Sequence, residues 1–254
     1  MREHLLPGLR PPPRRHPPGE IQSGRLQPAH RFQVSATDNH FAIALDGPAA
    51  SGKSTLAKNL AARLGLVMVN SGAMYRAVTW KALRENISPA DRDAVVEMLG
   101  RINITTGVKD NLSTIGIDGE DPGDALRSEE VNANVSAISA IPEVRVLLVN
   151  LQRDYLHGHS IVMEGRDIGS VVFPDTPYKI YVDAAEHVRA ARRSQVGEID
   201  SVAARDAADS KRDTSPLVIA EGATVLDTSD HTIESGVDAA IDILRQQGLP
   251  VPQP

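Results

Sequence analysis

The chain has 254 residues with 27 Lys and Arg against 33 Asp and Glu, a net charge of −6. That length can bury one or two domain cores. The absence of cysteine excludes disulfide frameworks, thiolate metal sites and thiol nucleophiles, and no apolar run approaches the roughly 18 residues of a membrane-spanning helix.

Residues 1–40 stand apart. They hold seven of the 17 prolines, six Arg against three acids, and little apolar periodicity. Their +3, taken from the whole-chain −6, leaves −9 on residues 41–254. An acidic body argues against a non-specific nucleic-acid binder. The stretch lacks the apolar region of a secretory signal, and Pro11–Pro13, Pro17 and Pro18 would break the amphipathic helix of an organelle transit peptide. A disordered extension, or a start codon assigned too far upstream, is favoured over a targeting peptide.

The stretch around which the rest is arranged is Phe41–Leu64. Phe41–Asp46 reads as a buried parallel strand. Gly47, four residues, Gly52, Lys53 and Ser54 then form a G-x-x-x-x-G-K-[ST] phosphate loop. Leu56, Leu60 and Leu64, with Ala57 and Ala61 between, put an apolar stripe on the helix that follows. The chemistry requires this pattern. Glycines let successive N–H groups curl inward on phosphate oxygens, and the helix adds its positive dipole end. Lys53 brings a mobile charge for the outer phosphates, and the Ser54 hydroxyl can ligate magnesium. A strand before and a helix after set this apart from a chance glycine-rich turn.

Gly65 ends that helix, and Leu66–Asn70 reads as a second buried strand. Ser71-Gly72-Ala73-Met74-Tyr75-Arg76 opens a helix to about Glu85, and Ser88-Pro89 reads as a cap and first turn of the next. Asn103–Thr106 and Ser113–Ile117 look like short strands, with turn chemistry at Lys109–Asn111 and Asp118–Gly123. This small antiparallel unit interrupts a strand–helix–strand rhythm and reads as an insertion. Helices follow at Ser128–Ala140 and from Pro142, where Val144, Leu147, Leu148, Leu151 and Tyr155 share a face. Ser160–Met163 is a third strand of the rhythm, ending in Glu164-Gly165-Arg166-Asp167, and Lys179–Val182 is a fourth. Ala185–Ser194 is a helix bearing Arg189, Arg192 and Arg193; residues 195–215 are polar, as a mobile cover would be. Thr224–Leu226 and a helix over Ile233–Gln247 close the chain. Alternating strands and helices imply a parallel sheet covered on both faces, with ligands at the carboxyl ends of the strands.

Five stretches together resemble the bacterial cytidylate kinases, a branch of the nucleoside monophosphate (NMP) kinases. They are LDGPAASGKST, NSGAMYR, EEVNANVSAIS with IPEVR, EGRDIGSVVFPD, and the Arg205–Leu217 segment, spread in the family's order over almost all of residues 41–245. The resemblance implies an α/β, P-loop NTPase-type fold: a parallel five-stranded sheet with helices on both faces, an inserted NMP-binding subdomain and a short lid. The kinase domain would be 41–254, with a core of 41–70 and 157–254, an insert at about 71–156 and a lid at about 195–215. The implied activity is ATP-dependent phosphorylation of CMP and dCMP with Mg2+, in a cytoplasmic monomer with no nucleic-acid or membrane partner. ATP contacts would fall on Gly47, Pro48, Ala49, Ala50, Ser51, Gly52, Lys53, Ser54 and Thr55, with Ser54 and, through water, Glu164 at the metal.

An acceptor that arrives as a phosphate dianion is already a nucleophile. The site then needs arginines for positioning and charge rather than a general base. By resemblance Arg76 and Arg166 clamp the acceptor phosphate, where a planar fork holds two oxygens. Ser71, Ser136, Arg145 and Asp167 would read the base, a carboxylate being a standard acceptor for the cytosine amine. Arg205, Asp209 and Arg212 lie at helical spacing, on one face. They would meet sugar and phosphate when the lid closes, with Arg192 and Arg193 on the transferring group. The stretch between Arg193 and Arg205 is shorter than the family pattern, and Glu164 stands where Asp is commoner. Another P-loop small-molecule kinase, or one acting on UMP, is the alternative; with an alcohol acceptor Asp167 could serve as base. A guanine-reading N-K-x-D motif is absent, which argues against a nucleotide switch.

Overall fold

The computed structural model describes residues 40–195 and 216–251. The expected extension over residues 1–40, apart from His40, and the cover over 195–215, apart from Gln195, lie outside the described residues, and with the cover Arg205, Asp209 and Arg212.

Five parallel strands form the central block: β1 (Ala42–Asp46), β2 (Val67–Asn70), β5 (Ile161–Gly165), β6 (Lys179–Asp183) and β7 (Thr224–Asp227), in the order β2-β5-β1-β6-β7. β1 and β5 are buried throughout, the signature of a sheet covered on both faces, whereas β7 at the edge buries only Leu226. Ile43 and Leu45 face a core with Leu56, Ala57 and Leu60 of α1 (Lys53–Leu64) and Val237, Ala240, Ile241 and Leu244 of α7 (Ile233–Gln246). Ala42 and Ala44 face the opposite core, with Val149 of α5 (Pro142–Arg153) and with Ile168, Val172 and Phe173.

Among the described residues the sheet has seven strands rather than five. The small antiparallel unit is a hairpin, β3 (Ile104–Lys109) and β4 (Leu112–Ile117), and β4 lies parallel to β2 at Met68↔Leu112. The tip residues Asp110 and Asn111 are both left-handed (φ 52 and 58), as the two-residue hairpin turn that follows strand twist requires. Met68 N–H donates to the Asn111 carbonyl at 2.9 Å, so the hairpin covers the edge β2 would otherwise expose.

Residues 71–148 build their own core. Met74, Val78 and Ala82 of α2 (Ser71–Arg84) meet Val95 and Met98 of α3 (Arg92–Leu99), Val135 and Ile138 of α4 (Glu129–Ala140) and Val144 and Leu148 of α5. One helix start differs from expectation. Ser88-Pro89 forms a turn closed by Asp91 N–H to the Ser88 carbonyl, and α3 begins at Arg92, capped by the Asp91 side chain on Ala94 N–H at 3.1 Å. Two adjacent cap signals compete here, and the acid beside the apolar stripe wins because it places Val95 and Met98 inward. Among the described residues no single helix is long and apolar enough to cross a membrane.

Candidate active site

The carboxyl ends of β1, β2, β5, β6 and β7 all open on one edge of the sheet, where parallel sheets of this kind bind ligands. At the end of β1 the chain turns at Gly47 (φ 153), where a Cβ would stand 2.0 Å from the Val182 carbonyl oxygen on β6. Only glycine lets the loop pass so near the neighbouring strand. Ala50 and Gly52 are left-handed (φ 58 and 86), and Gly52 caps α1 with no side chain on its first-turn amides. Those N–H groups and the helix dipole remain directed at the loop. Lys53 is buried, its Nζ donating to the Pro48 carbonyl at 2.7 Å across the curl. Gly52, Lys53, Ser54, Thr55, Arg192, Arg193, His231 and Thr232 line a cavity of about 530 Å3. Its size suits a small-molecule ligand.

The arginines of α6 (Glu186–Gln195) close on this loop from above. Arg189 donates to the Ala49 carbonyl at 3.3 Å and to the Ala184 carbonyl at 3.0 Å. Arg192 spends two N–H groups on Thr228, one on its hydroxyl at 3.0 Å and one on its carbonyl at 2.9 Å. The same Thr228 Oγ1 lies 2.9 Å from the Ser51 carbonyl and 3.1 Å from the Asp183 carbonyl. One hydroxyl therefore ties the ends of β6 and β7 to the phosphate loop and fixes Arg192 above Gly52. Arg193 is buried beside it.

The second half of the site is assembled from distant segments. Asn70 ends β2 and caps α2, accepting Ala73 N–H at 3.0 Å, which brings Ser71 to the sheet edge. Ser71 Oγ donates to the Glu164 carbonyl at 2.7 Å, and the buried Glu164 carboxylate accepts from Ser54 Oγ at 2.7 Å. Glu164 thus joins the phosphate loop to the strand end that carries Arg166 and Asp167. Arg145 of α5 and Asp167 form a buried ion pair. Arg145 also donates to the Ser139 carbonyl at 3.1 Å and stacks over the Tyr75 ring, 5.4 Å from its centroid. Arg76 donates to Asn132 Oδ1 at 3.4 Å, and Arg166 to the Gly165 carbonyl at 3.3 Å, both residues partly buried.

Ser136 is placed differently from Arg145 and Asp167. Its carbonyl accepts from Ser139 Oγ at 3.0 Å, and Ser139, one turn further on, supplies the backbone oxygen that Arg145 reaches. Asn132 and Thr228 carry no signal in the sequence without the fold, whereas Asp46 is legible there as an acid closing the apolar strand AIALD. Burial pushes the Asp46 carboxyl up to about 6 despite two backbone N–H donors, and the nearby Asp167 charge adds to the rise.

The family model for cytidylate kinase matches residues 43–246, from β1 to the end of α7. The chain belongs to the cytidylate kinase family. Among curated cytidylate kinases, that of Caldanaerobacter subterraneus subsp. tengcongensis is 41% identical over 215 residues, covering 80% of this chain and 94% of the relative. That of Streptomyces avermitilis is 40% identical over 216 residues, covering 81% and 93%, and that of Clostridium botulinum 38% over 218 residues, covering 82% and 99%. The cytidylate kinase match therefore takes in the phosphate loop, residues 71–148 with their separate core, and the Arg145–Asp167 pair in one span.

Proposed function

We propose that the chain transfers the γ-phosphoryl group of ATP to CMP and dCMP, giving ADP with CDP or dCDP. The observation that carries this reading is Asp167, a carboxylate buried at the end of β5 and oriented by Arg145. Such a group is suited to accept from the exocyclic amine of cytosine, with the Arg145 fork as donor to the ring. Ser71 and Ser136 complete the reading of the base, Ser136 in the family's manner rather than by any contact described above.

In the reaction an oxygen of the CMP phosphate forms a bond to the γ-phosphorus as the bond to the β-phosphate oxygen breaks. The acceptor brings its own negative oxygen, so positioning and charge neutralisation suffice. Arg76 and Arg166 hold the acceptor phosphate. The backbone of residues 47–55 and Lys53 hold the donor phosphates, and Arg193, with Arg212 of the lid, meets the charge that develops on the moving group. The lid over residues 195–215, with Arg205 and Asp209 on the sugar, excludes water that would otherwise take the phosphoryl group. Residues 71–156 serve as the acceptor-binding insert, and the enzyme acts as a cytoplasmic monomer. Ser54 and Glu164 suit magnesium: both offer hard oxygens, and they already lie in hydrogen bond beside the phosphate loop. Magnesium bound there would neutralise donor phosphate charge.

Coupled ADP release with Mg-ATP tests this across CMP, dCMP, UMP, dTMP, AMP, GMP and shikimate. Turnover confined to CMP and dCMP is expected. Comparable turnover of UMP, or activity with shikimate alone, would move the assignment to another kinase of the P-loop class.

A further inference from the structure

The geometry points to Asp46 as a positioning residue for the acceptor, one that fixes the turn presenting Arg166 and Asp167 to the strand that launches the phosphate loop. This role rests on the proposed function and deepens it. Asp46 is the last residue of β1, directly before Gly47, and lies in register with Gly165 on β5 and Tyr181 on β6. Its two carboxylate oxygens accept from two successive amides, Ile168 N–H and Gly169 N–H, each at 2.7 Å. These are the first two residues after Asp167. Both bonds are charge-assisted and buried, so they constrain the backbone more firmly than neutral turn bonds would.

What they constrain is a single wide turn. Val172 N–H reaches back to the Asp167 carbonyl at 3.2 Å and Phe173 N–H to the Ile168 carbonyl at 2.7 Å, a π-type turn over Ile168–Val172. Such turns are uncommon and are frequently found at functional sites. Gly169 permits the close approach, since a Cβ there would lie 3.3 Å from Asp46 Oδ2 and 3.2 Å from Lys179 Cδ. The far end of the turn is held separately, by Arg153 donating to the Val171 and Val172 carbonyls at 2.8 Å each. The turn is thus pinned at both ends, but only the Asp46 end abuts Asp167. A carboxylate buried behind the turn thereby sets the distance between the phosphate loop and the acceptor pair.

The test uses the purified full chain and three variants, Asp46→Ala, Asp46→Asn and Arg153→Ala, with steady-state constants for CMP and for Mg-ATP. Asp46→Ala should raise KM for CMP and lower kcat by about tenfold or more each, with KM for ATP within about twofold, the scale expected when a support of a binding group is lost. Asp46→Asn, which keeps one acceptor oxygen, should fall between and supplies the reading if the alanine variant does not fold. Arg153→Ala should lower thermal stability with a smaller change in KM for CMP. An unchanged KM for CMP in both Asp46 variants overturns the inference. So does an equal rise in KM for ATP, or an Arg153→Ala effect on KM for CMP as large as that of Asp46→Ala. Wild-type protein that does not turn over CMP overturns the proposed function and the inference together. CMP turnover with unaltered Asp46 variants overturns the inference alone.

Discussion

The two halves of the site as proposed, one for the donor and one for the acceptor, are built in opposite ways. The donor half is contiguous: residues 47–55 bend through Gly47, Ala50 and Gly52, and their functional groups are chiefly backbone amides. The acceptor half gathers Ser71, Arg76, Arg145, Arg166 and Asp167 from α2, α5 and the end of β5, and holds them by side-chain bonds such as Ser71 to the Glu164 carbonyl and Asp46 to Ile168 and Gly169. A backbone cradle depends on local dihedral angles and survives most changes elsewhere. A side-chain cluster depends on long-range packing, so it admits specificity but fails when one support goes.

Three measurements bear on that contrast. The largest effect is expected for Lys53→Met, which removes the one side chain of the donor cradle that spans the curl. Turnover should fall by roughly 10²–10³, while CMP binding by calorimetry stays within about twofold. A parallel loss of CMP affinity would mean the two halves are not separable. Next is Asp167→Ala, which leaves Arg145 buried without its carboxylate. A cost of about 3–5 kcal/mol in denaturant unfolding is expected, with loss of CMP binding and retention of ATP binding. A variant as stable as wild type would show that Ser139 and Tyr75 hold Arg145 by themselves.

The smallest effect is a pH dependence of stability from Asp46. Its folded value of about 6 lies above the ordinary 3.8, because burial disfavours the anion. A raised folded value means the stabilisation is complete below pH 3.8 and is lost as pH rises through 6. Wild type should therefore lose up to about 3 kcal/mol relative to Asp46→Asn between pH 4 and pH 7, read from unfolding curves at each pH. A constant difference between the two proteins would show that the carboxylate is ionised throughout.

Much of this was legible in the chain. The phosphate loop, the five parallel strands, the hairpin and the capped helices follow from local rules: dihedral freedom at glycine, alternation in strands, apolar spacing in helices. The start of α3 was not, because Ser88 and Asp91 offer rival caps and packing chose between them. The attachment of the hairpin to β2 was not either, since strand pairing at Met68 and Leu112 depends on an exposed edge that exists only once the sheet forms.

By itself, then, the sequence determined the phosphate loop and the alternation of strands and helices, which are properties of neighbours along the chain, and the set of arginines through its resemblance to a family. Tertiary structure decided which charges meet. It buried Asp167 against Arg145, laid Arg192 on Thr228, and placed Asp46 under a turn 122 residues away. Pairings across such distances are fixed by the packing of the three cores, and no spacing rule encodes them.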